Sequence, residues 1–326
     1  MSKALVTGAG GFIGSHLVER LAAEGYSVRA LYRYNSANSR GWLDQVPGGL
    51  PGNVEAVAGD IRDPFQVAGL VKGVDVVFHL AALIGIPYSY AAPASYVETN
   101  VGGTLNLLMA CMSAGGKRFV HTSTSEVYGT ARYTPMDESH LQTAQSPYSA
   151  TKIAADRLVE SYHLSYGLET VTVRPFNTYG PRQSARAVIP TVIRQALAGN
   201  REIRLGALDP VRDFNFVQDT VEGFLAASLS GKAVGRVVNL GTGRGVSVGQ
   251  IVQMILALCG SNAEVVLDED RIRPAQSEVM ALVADATLAG ELLGWAPGHT
   301  LEQGLEKTIA WTRSQAGQDR CEGYVV

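Results

Sequence analysis

Lys3-Ala-Leu-Val-Thr7, Gly8-Ala-Gly-Gly11-Phe-Ile-Gly14, then apolar residues at Leu17, Val18 and Leu21: this opening decides the fold. The first five residues are short and apolar and read as a buried strand. Glycines at 8, 11 and 14 allow a tight turn, and the apolar spacing beyond them predicts a helix that ends near Gly25. Strand, glycine turn and helix in this order aim backbone N–H groups and a helix N-terminus at a pyrophosphate. Gly8, Gly11 and Gly14, with Phe12 and Ile13 inside the turn, are therefore cofactor-binding candidates. The glycines fall three apart instead of in the simpler Gly-x-Gly-x-x-Gly spacing.

Working outward, strands alternate with helices. Ser27–Leu31, Val54–Ala58, Asp75–Leu80, Phe119-Val120 and Glu169–Val173 read as strands, and helices follow Pro93 (to about Ala114) and Ser146. Alternation of this kind predicts a doubly wound parallel sheet of the Rossmann type. An acid is expected at the end of the second strand to hold the adenosine ribose of NAD. The chain has Tyr32-Arg33-Tyr34-Asn35-Ser36 there instead. Arg33 without an acid fits a ribose 2′-phosphate and leans towards NADP+; alternatively Arg33 stacks on adenine and NAD+ is bound. Asp60 and Ile61 end the third strand, placed to touch adenine. Leu80, Ala81 and Ala82 end the fourth, where small residues let backbone approach the cofactor. Asn100, a poor helix former inside a helix, could bridge neighbouring strands.

The chemistry concentrates between His121 and Lys152. His121-Thr122-Ser123-Thr124-Ser125-Glu126 sits at the carboxyl end of the fifth strand; Ser146 is an N-cap and Pro147 suits a first helical position. Tyr148 and Lys152 stack on one face of that helix, which ends near Gly167. A phenol titrates near 10, about three units too high for a base at neutral pH. A fixed ammonium nearby favours the phenolate. The bland alternative is a packed tyrosine and a solvated lysine.

The bulk numbers exclude several classes. The chain has 326 residues, 46% hydrophobic and 17% charged, with net charge −3, so no basic field suggests nucleic acid or an anionic membrane. Cys111, Cys259 and Cys321 are few, odd in number and far apart, which argues against a disulfide framework. No His/Cys spacing suggests a metal site. No apolar run approaches the roughly 20 residues of a membrane helix, and Met1 leads into a strand without a signal-peptide pattern. A cytoplasmic location is expected.

After Arg174-Pro-Phe-Asn-Thr-Tyr-Gly-Pro181 the strands shorten and arginines enter the loops. Residues 1–174 read as the dinucleotide-binding domain and 175–326 as a smaller α/β substrate-binding lobe, with segments around 213–240 returning to the first domain. Helices are expected at 219–229, 247–258 and 301–311. Arg212 and Arg273 stand beside rigidifying residues and could grip a second pyrophosphate bidentately.

Taken together, the glycine turn, Asp60-Ile61, His79-Leu-Ala-Ala82, Tyr148 with Lys152, Arg174-Pro-Phe-Asn177 and Asn239-Leu-Gly-Thr-Gly243 resemble the extended short-chain dehydrogenase/reductase family of NAD-dependent epimerases and dehydratases. The resemblance spans essentially the whole chain. It implies tightly bound NAD(P)+, a nucleotide-diphosphate sugar substrate and often a homodimer. It further implies Tyr148 as the base, Lys152 on the nicotinamide ribose, and Thr124 on the same sugar oxygen as Tyr148. Asn35, Ser36, Asn100 and Thr122 are implied towards the cofactor, and Ile84, Thr124, Asn177 and Val188 towards the substrate. Thr124-Ser125-Glu126 is similar to the triplet of GDP-mannose 4,6-dehydratases and UDP-glucuronate decarboxylases. The dTDP-glucose 4,6-dehydratases carry Thr-Asp-Glu. Gln183-Ser-Ala-Arg-Ala-Val-Ile-Pro190 looks most like the legionaminic-acid-pathway 4,6-dehydratases acting on UDP- or GDP-N-acetylglucosamine-like sugars. The expectation is a nucleotide-sugar 4,6-dehydratase with Ser125 and Glu126 in the second half of the reaction. Alternatives are a 4-epimerase (UDP-glucuronate 4-epimerase included), a UDP-glucuronate decarboxylase, or a non-catalytic dinucleotide sensor. A dimer would pair helices 100–112 and 148–166 through Ile153, Leu158, Val159, Tyr162 and Tyr166.

Overall fold

The computed structural model describes residues 1–268, 271, 274 and 276–315. Seven parallel strands form the main sheet: β1 (Lys3–Thr7), β2 (Ser27–Arg33), β3 (Val54–Gly59), β4 (Val76–His79), β5 (Arg118–Thr122), β6 (Thr170–Pro175) and, later in the chain, β10 (Arg236–Leu240). Their order is β10-β6-β5-β4-β1-β2-β3. The chain thus runs outward from β1 in one direction, then restarts at β4 and runs outward in the other. Ligands of such sheets bind at the strands' carboxyl ends where the order reverses, here between β1 and β4.

The first turn is built as its glycines require. Gly8 has φ +71°, the left-handed region, and its carbonyl accepts from Gly11 N–H at 3.0 Å. A Cβ on Gly14 would stand 2.2 Å from Gly8 O, so helix α1 (Phe12–Ala23) can seat this closely only on a glycine. Helices α2 (Pro64–Val71), α3 (Ile86–Ala91) and α4 (Pro93–Tyr96) follow the next strands. From α4 the chain passes through a widened π-type turn, Val97–Gly102, into α5 (Gly103–Ser113). The long helix α6 (Pro147–Tyr166) starts on a reciprocal Ser146/Ser149 capping box and stops at Gly167 with φ +70°.

The smaller lobe has its own sheet. Strand β9 (Val211–Phe216) is central, paired with β7 (Asn177–Tyr179), β11 (Gly245–Ser247) and β13 (Ala281–Leu282), while β8 (Glu202–Leu205) pairs with β12 (Glu264–Leu267). Helices α7 (Val188–Leu197), α9 (Val248–Cys259) and α11 (Leu301–Ser314) close over it around Tyr179, Ile193, Phe216, Ile255 and Leu305. Within the segment around 213–240 the chain divides at Val217. Asp213 to Phe216 stay in the small sheet, and only α8 (Val217–Leu229) and β10 go back to the large one. Helix α10 (Thr287–Leu293) and Trp295, placed by the sequence in the lobe, also pack on the first domain's core. The Asn239–Gly243 motif joins the two sheets. Asp213 accepts from Thr242 N–H (2.9 Å), Thr242 Oγ1 (2.6 Å), Gly243 N–H (2.9 Å) and Ala284 N–H (3.1 Å). A Cβ on Gly241 would press on Asp213 at 2.8 Å, which explains that glycine. Among the described residues no helix is long and apolar enough to cross a membrane.

Candidate active site

The carboxyl ends of β1 to β6 open into one cavity of about 1160 Å3 that continues into the smaller lobe. A single small-molecule site occupies roughly 300–1,000 Å3, so the cavity has room for two ligands end to end. Gly8, Gly11, Phe12, Ile13 and Gly14 line it at β1, and Arg33 and Asn35 at the end of β2. Asp60 and Ile61 line it after β3, and Leu80, Ala81, Ala82 and Ile84 after β4. Thr122, Thr124, Ser125 and Glu126 follow from β5, with Tyr148 opposite and Asn177, Val188 and Arg212 on the lobe side. Ser36 is exposed and does not reach the cavity wall. Arg273 lies outside the described residues.

Two expected site residues stand behind the wall rather than in it. Asn100 is almost fully buried; its amide accepts from Leu83 N–H (2.8 Å) and donates to Leu83 O (3.0 Å) and Thr151 Oγ1 (3.0 Å). It therefore bridges a loop to α6, not two strands, and holds Leu83, which does line the cavity. Lys152 is also buried and donates to Thr122 O at 2.6 Å. Burial lowers its ammonium to about 8, while Asp156 opposes the fall.

Tyr148 corrects the expectation of a lowered phenol. Burial is the largest influence and raises it well above 10, although a hydrogen bond with Thr124 pulls the other way and Glu126 nearby adds to the rise. In the protein alone Tyr148 is a neutral phenol held against Thr124. Thr124 Oγ1 also accepts from Glu126 N–H (3.2 Å), which turns the Ser125–Tyr128 segment and brings the Glu126 carboxylate to the same cavity. Ser125 is 3% exposed. Thr122 Oγ1 and Asn177 Oδ1 are buried at the lining without a hydrogen-bond partner among the described residues, polar atoms that a bound molecule can satisfy.

Several lining residues went unread in the sequence. The segment from Ser39 to Gly41 lies across the glycine turn: Trp42 N–H donates to Gly10 O at 3.0 Å, and a Cβ on Gly10 would meet Arg40 O at 2.5 Å. Arg40 pairs with Asp44 (2.7 Å) and Arg62 with Asp60 (2.6 Å), so these two of the three arginines at this end, Arg33 being the third, are engaged in ion pairs. Gln183, Arg186 and Glu278 complete the lobe side, with Glu278 paired to Arg212 at 3.1 Å. Only the Gly10 contact had a sequence signal, the extra glycine in the turn.

The family model described as GDP-mannose 4,6 dehydratase matches residues 5–308. A UDP-N-acetyl-alpha-D-glucosaminuronate decarboxylase of Bacillus cytotoxicus is 34% identical over 323 residues, covering 95% of this chain and 98% of its own. The dTDP-glucose 4,6-dehydratase of Streptomyces venezuelae, solved with NAD bound, superposes with a TM-score of 0.88 at 31% identity, covering 98% of this chain and 99% of that one. The UDP-glucose 4-epimerase of Thermotoga maritima, solved with UDP-glucose, gives a TM-score of 0.87 at 31% identity, covering 96% and 99%. Three different outcomes thus stand at similar distance from this chain.

Asn100→Ala should release Leu83 and leave its backbone unpaired, costing about 1–3 kcal/mol of stability. Dinucleotide affinity, read by titration calorimetry, should weaken by roughly tenfold. Unchanged affinity and melting temperature would remove Asn100 from the supporting structure.

Proposed function

The chain belongs to the extended short-chain dehydrogenase/reductase family of nucleotide-sugar epimerases and dehydratases, and on that premise we propose that it is a nucleotide-sugar 4,6-dehydratase. One observation carries this reading: Glu126 reaches the cavity beside Thr124 and Tyr148, a carboxylate that oxidation of a sugar hydroxyl does not need. The glycine turn, the partnerless Thr122 hydroxyl and Lys152 fit a nicotinamide dinucleotide. Bound there, it supplies a hydride acceptor for C4 of the sugar and later the hydride that C6 receives. The Lys152 ammonium and the positive charge of a bound nicotinamide would favour the Tyr148 phenolate that the protein alone does not hold, and that phenolate takes the C4 hydroxyl proton, with Thr124 on the same oxygen. The C4 ketone acidifies the C5 hydrogen, and Glu126 removes it. The C6 hydroxyl then leaves as water with the proton that Glu126 took, C5 takes up a proton equivalent to the one Tyr148 removed as C6 receives the hydride, and the product is a 4-keto-6-deoxy sugar. Ser125 has no proton to give at neutral pH without a partner, so Glu126 both accepts from C5 and donates to the departing oxygen.

A second reading, hexuronate decarboxylation or 4-epimerisation, draws on Arg186. Its guanidinium lines the cavity next to Gly85 and influences the Tyr96 hydroxyl, whose ring meets Tyr148 edge-on at 6.4 Å. A C6 carboxylate would suit that cation. On the cofactor, Arg33 lines the cavity at the end of β2 where no acid follows, which supports NADP+ over NAD+. A homodimer is supported by α5 and α6 lying side by side with Val97 (53% exposed), Met109 (53%), Leu164 (75%) and Tyr166 (62%) uncovered. Val159, Leu158 and Tyr162, expected at that face, pack instead on the core under α6, and Ile153 on the cluster around Tyr128.

Incubation with UDP- and GDP-linked hexoses and hexuronates, followed by mass analysis, distinguishes loss of water, loss of carbon dioxide and an unchanged mass; either of the last two ends the dehydratase reading. Glu126→Gln should still build up the absorbance of reduced nicotinamide while 6-deoxy product falls on the order of 10²–10⁴-fold, and Ser125→Ala should cost far less. Denaturing the purified protein should release NADP+; NAD+ alone refutes the lean. Light scattering at micromolar concentration should give twice the monomer mass, and a monomer counts against the paired helices.

A further inference from the structure

We propose that Asp156 is a positioning residue for the catalytic lysine: its buried carboxylate keeps the Lys152 ammonium charged and ties the catalytic helix to the strand end that carries Thr122, Ser123 and Thr124. Tyr148, Lys152 and Asp156 stand at successive steps of four on one face of α6, all turned to the sheet and all buried. Lys152 Nζ meets the strand end at Thr122 O, at 2.6 Å. Asp156 meets it on both sides of that residue, accepting from Ser123 Oγ at 2.8 Å and from His121 Nε2 at 3.2 Å. Arg174 Nη2 on β6 donates to the same carboxylate at 2.9 Å.

An ammonium out of water needs an anion. The groups facing Lys152 are His79 from β4, His121 from β5, Tyr148 and Asp156 from its own helix, and Arg174 from β6 beyond Asp156. Burial holds both histidines neutral, Tyr148 is a neutral phenol and Arg174 is a cation, which leaves Asp156 as the negative group of this set. Burial alone would raise the Asp156 carboxyl, but the His121 hydrogen bond and the charges of Arg174 and Lys152 bring it to about 2. Asp156 is not among the residues that line the cavity, and it acts through Lys152 and the strand.

The inference rests on the sugar-oxidising step common to every reading above, not on dehydration. Its first test needs neither cofactor nor sugar. The chain has six lysines (Lys3, Lys72, Lys117, Lys152, Lys232 and Lys307), so the Cε resonance of Lys152 can be assigned in 13C-lysine-labelled protein with Lys152→Arg and titrated. Removing an anion that stabilises an ammonium lowers its midpoint. Asp156→Asn should move the Lys152 midpoint down by about one pH unit or more. Should the unpaired Arg174 prevent folding, Asp156→Asn combined with Arg174→Met removes both charges together and should show the same direction. Ser123→Ala, which deletes a hydrogen bond and keeps the charge, should leave the midpoint in place. In the loaded protein the alkaline limb of single-turnover nicotinamide reduction should move down in parallel. A folded neutral variant with an unmoved Lys152 midpoint overturns the proposal. Collapse of both variants also overturns it, in favour of a purely structural ion pair. If wild type reduces no nicotinamide with any nucleotide sugar, the proposed function fails, while the Lys152 titration still decides the role of Asp156.

Discussion

A lysine ammonium buried behind an active site has to be compensated, and here the compensation spreads across three strands. Asp156 serves Lys152, but a carboxylate at that depth needs partners of its own. Arg174 supplies two N–H contacts, at 2.9 and 3.3 Å, and becomes the next buried charge to be satisfied. Its third nitrogen donates to Tyr128 Oη at 2.9 Å, and the guanidinium lies 4.9 Å from the centre of that ring. Tyr128 in turn donates to Asn239 Oδ1 at 2.8 Å, and Asn239 Nδ2 to Met136 O at 3.1 Å. One functional charge thus fixes β5, β6, β10 and the segment after Tyr128 relative to one another. It also explains why Arg174, inside a strand, is among the largest fully buried side chains.

A second chain of hydrogen bonds does the same at the cofactor end, and its directions can be worked out. Thr104 Oγ1 donates to Asn100 O at 2.6 Å, so its contact with His79 Nε2 (2.9 Å) has the imidazole as donor. His79 Nδ1 then carries a lone pair, and Thr7 Oγ1 donates to it at 2.9 Å. Thr7 is left free to accept from Leu80 N–H and Ala81 N–H, both at 3.1 Å. Every member has its proton assigned once the histidine is neutral, and burial keeps it so, well below its usual range. The cavity-lining loop after β4 is thereby held by β1 and α5 together.

What the sequence made legible was whatever has a local cause. The glycine turn needs its φ values, the α6 start needs Ser146 and Pro147, and the Tyr148–Lys152 spacing is a property of any helix. Roles that depend on a distant partner were not legible. Asn100 looked like a poor helix former, yet its partner Leu83 belongs to another loop. Asn239–Gly243 read as a family motif, while the reason for it is Asp213, far back along the chain in the smaller sheet. The direction of the Tyr148 shift was misjudged because spacing alone does not reveal depth. Lys152 donates to Thr122 O, and the influences on the phenol are burial first, then Thr124 and Glu126.

The same distinction separates what this site does from what it does it to. The groups to which the proposed reaction gives protons to handle stand on a helix face and a strand end, locked by the two buried networks, so their geometry follows from the fold. The lining on the far side of the cavity comes largely from connections and element ends: Ile84 and Gly85 before α3, Gln183, Ser184, Arg186 and Ala187 before α7, Gly206, Ala207 and Pro210 between β8 and β9, and Glu278. Loops vary without disturbing either network. A chain can therefore stand at similar distance from a decarboxylase, a dehydratase and an epimerase while the Thr124, Tyr148 and Lys152 side of its cavity is fixed. On the proposed reading the division falls inside the Thr124-Ser125-Glu126 turn itself: Thr124 is bound to Tyr148, and Glu126, two residues on, lines the same cavity as the carboxylate that only the later steps use.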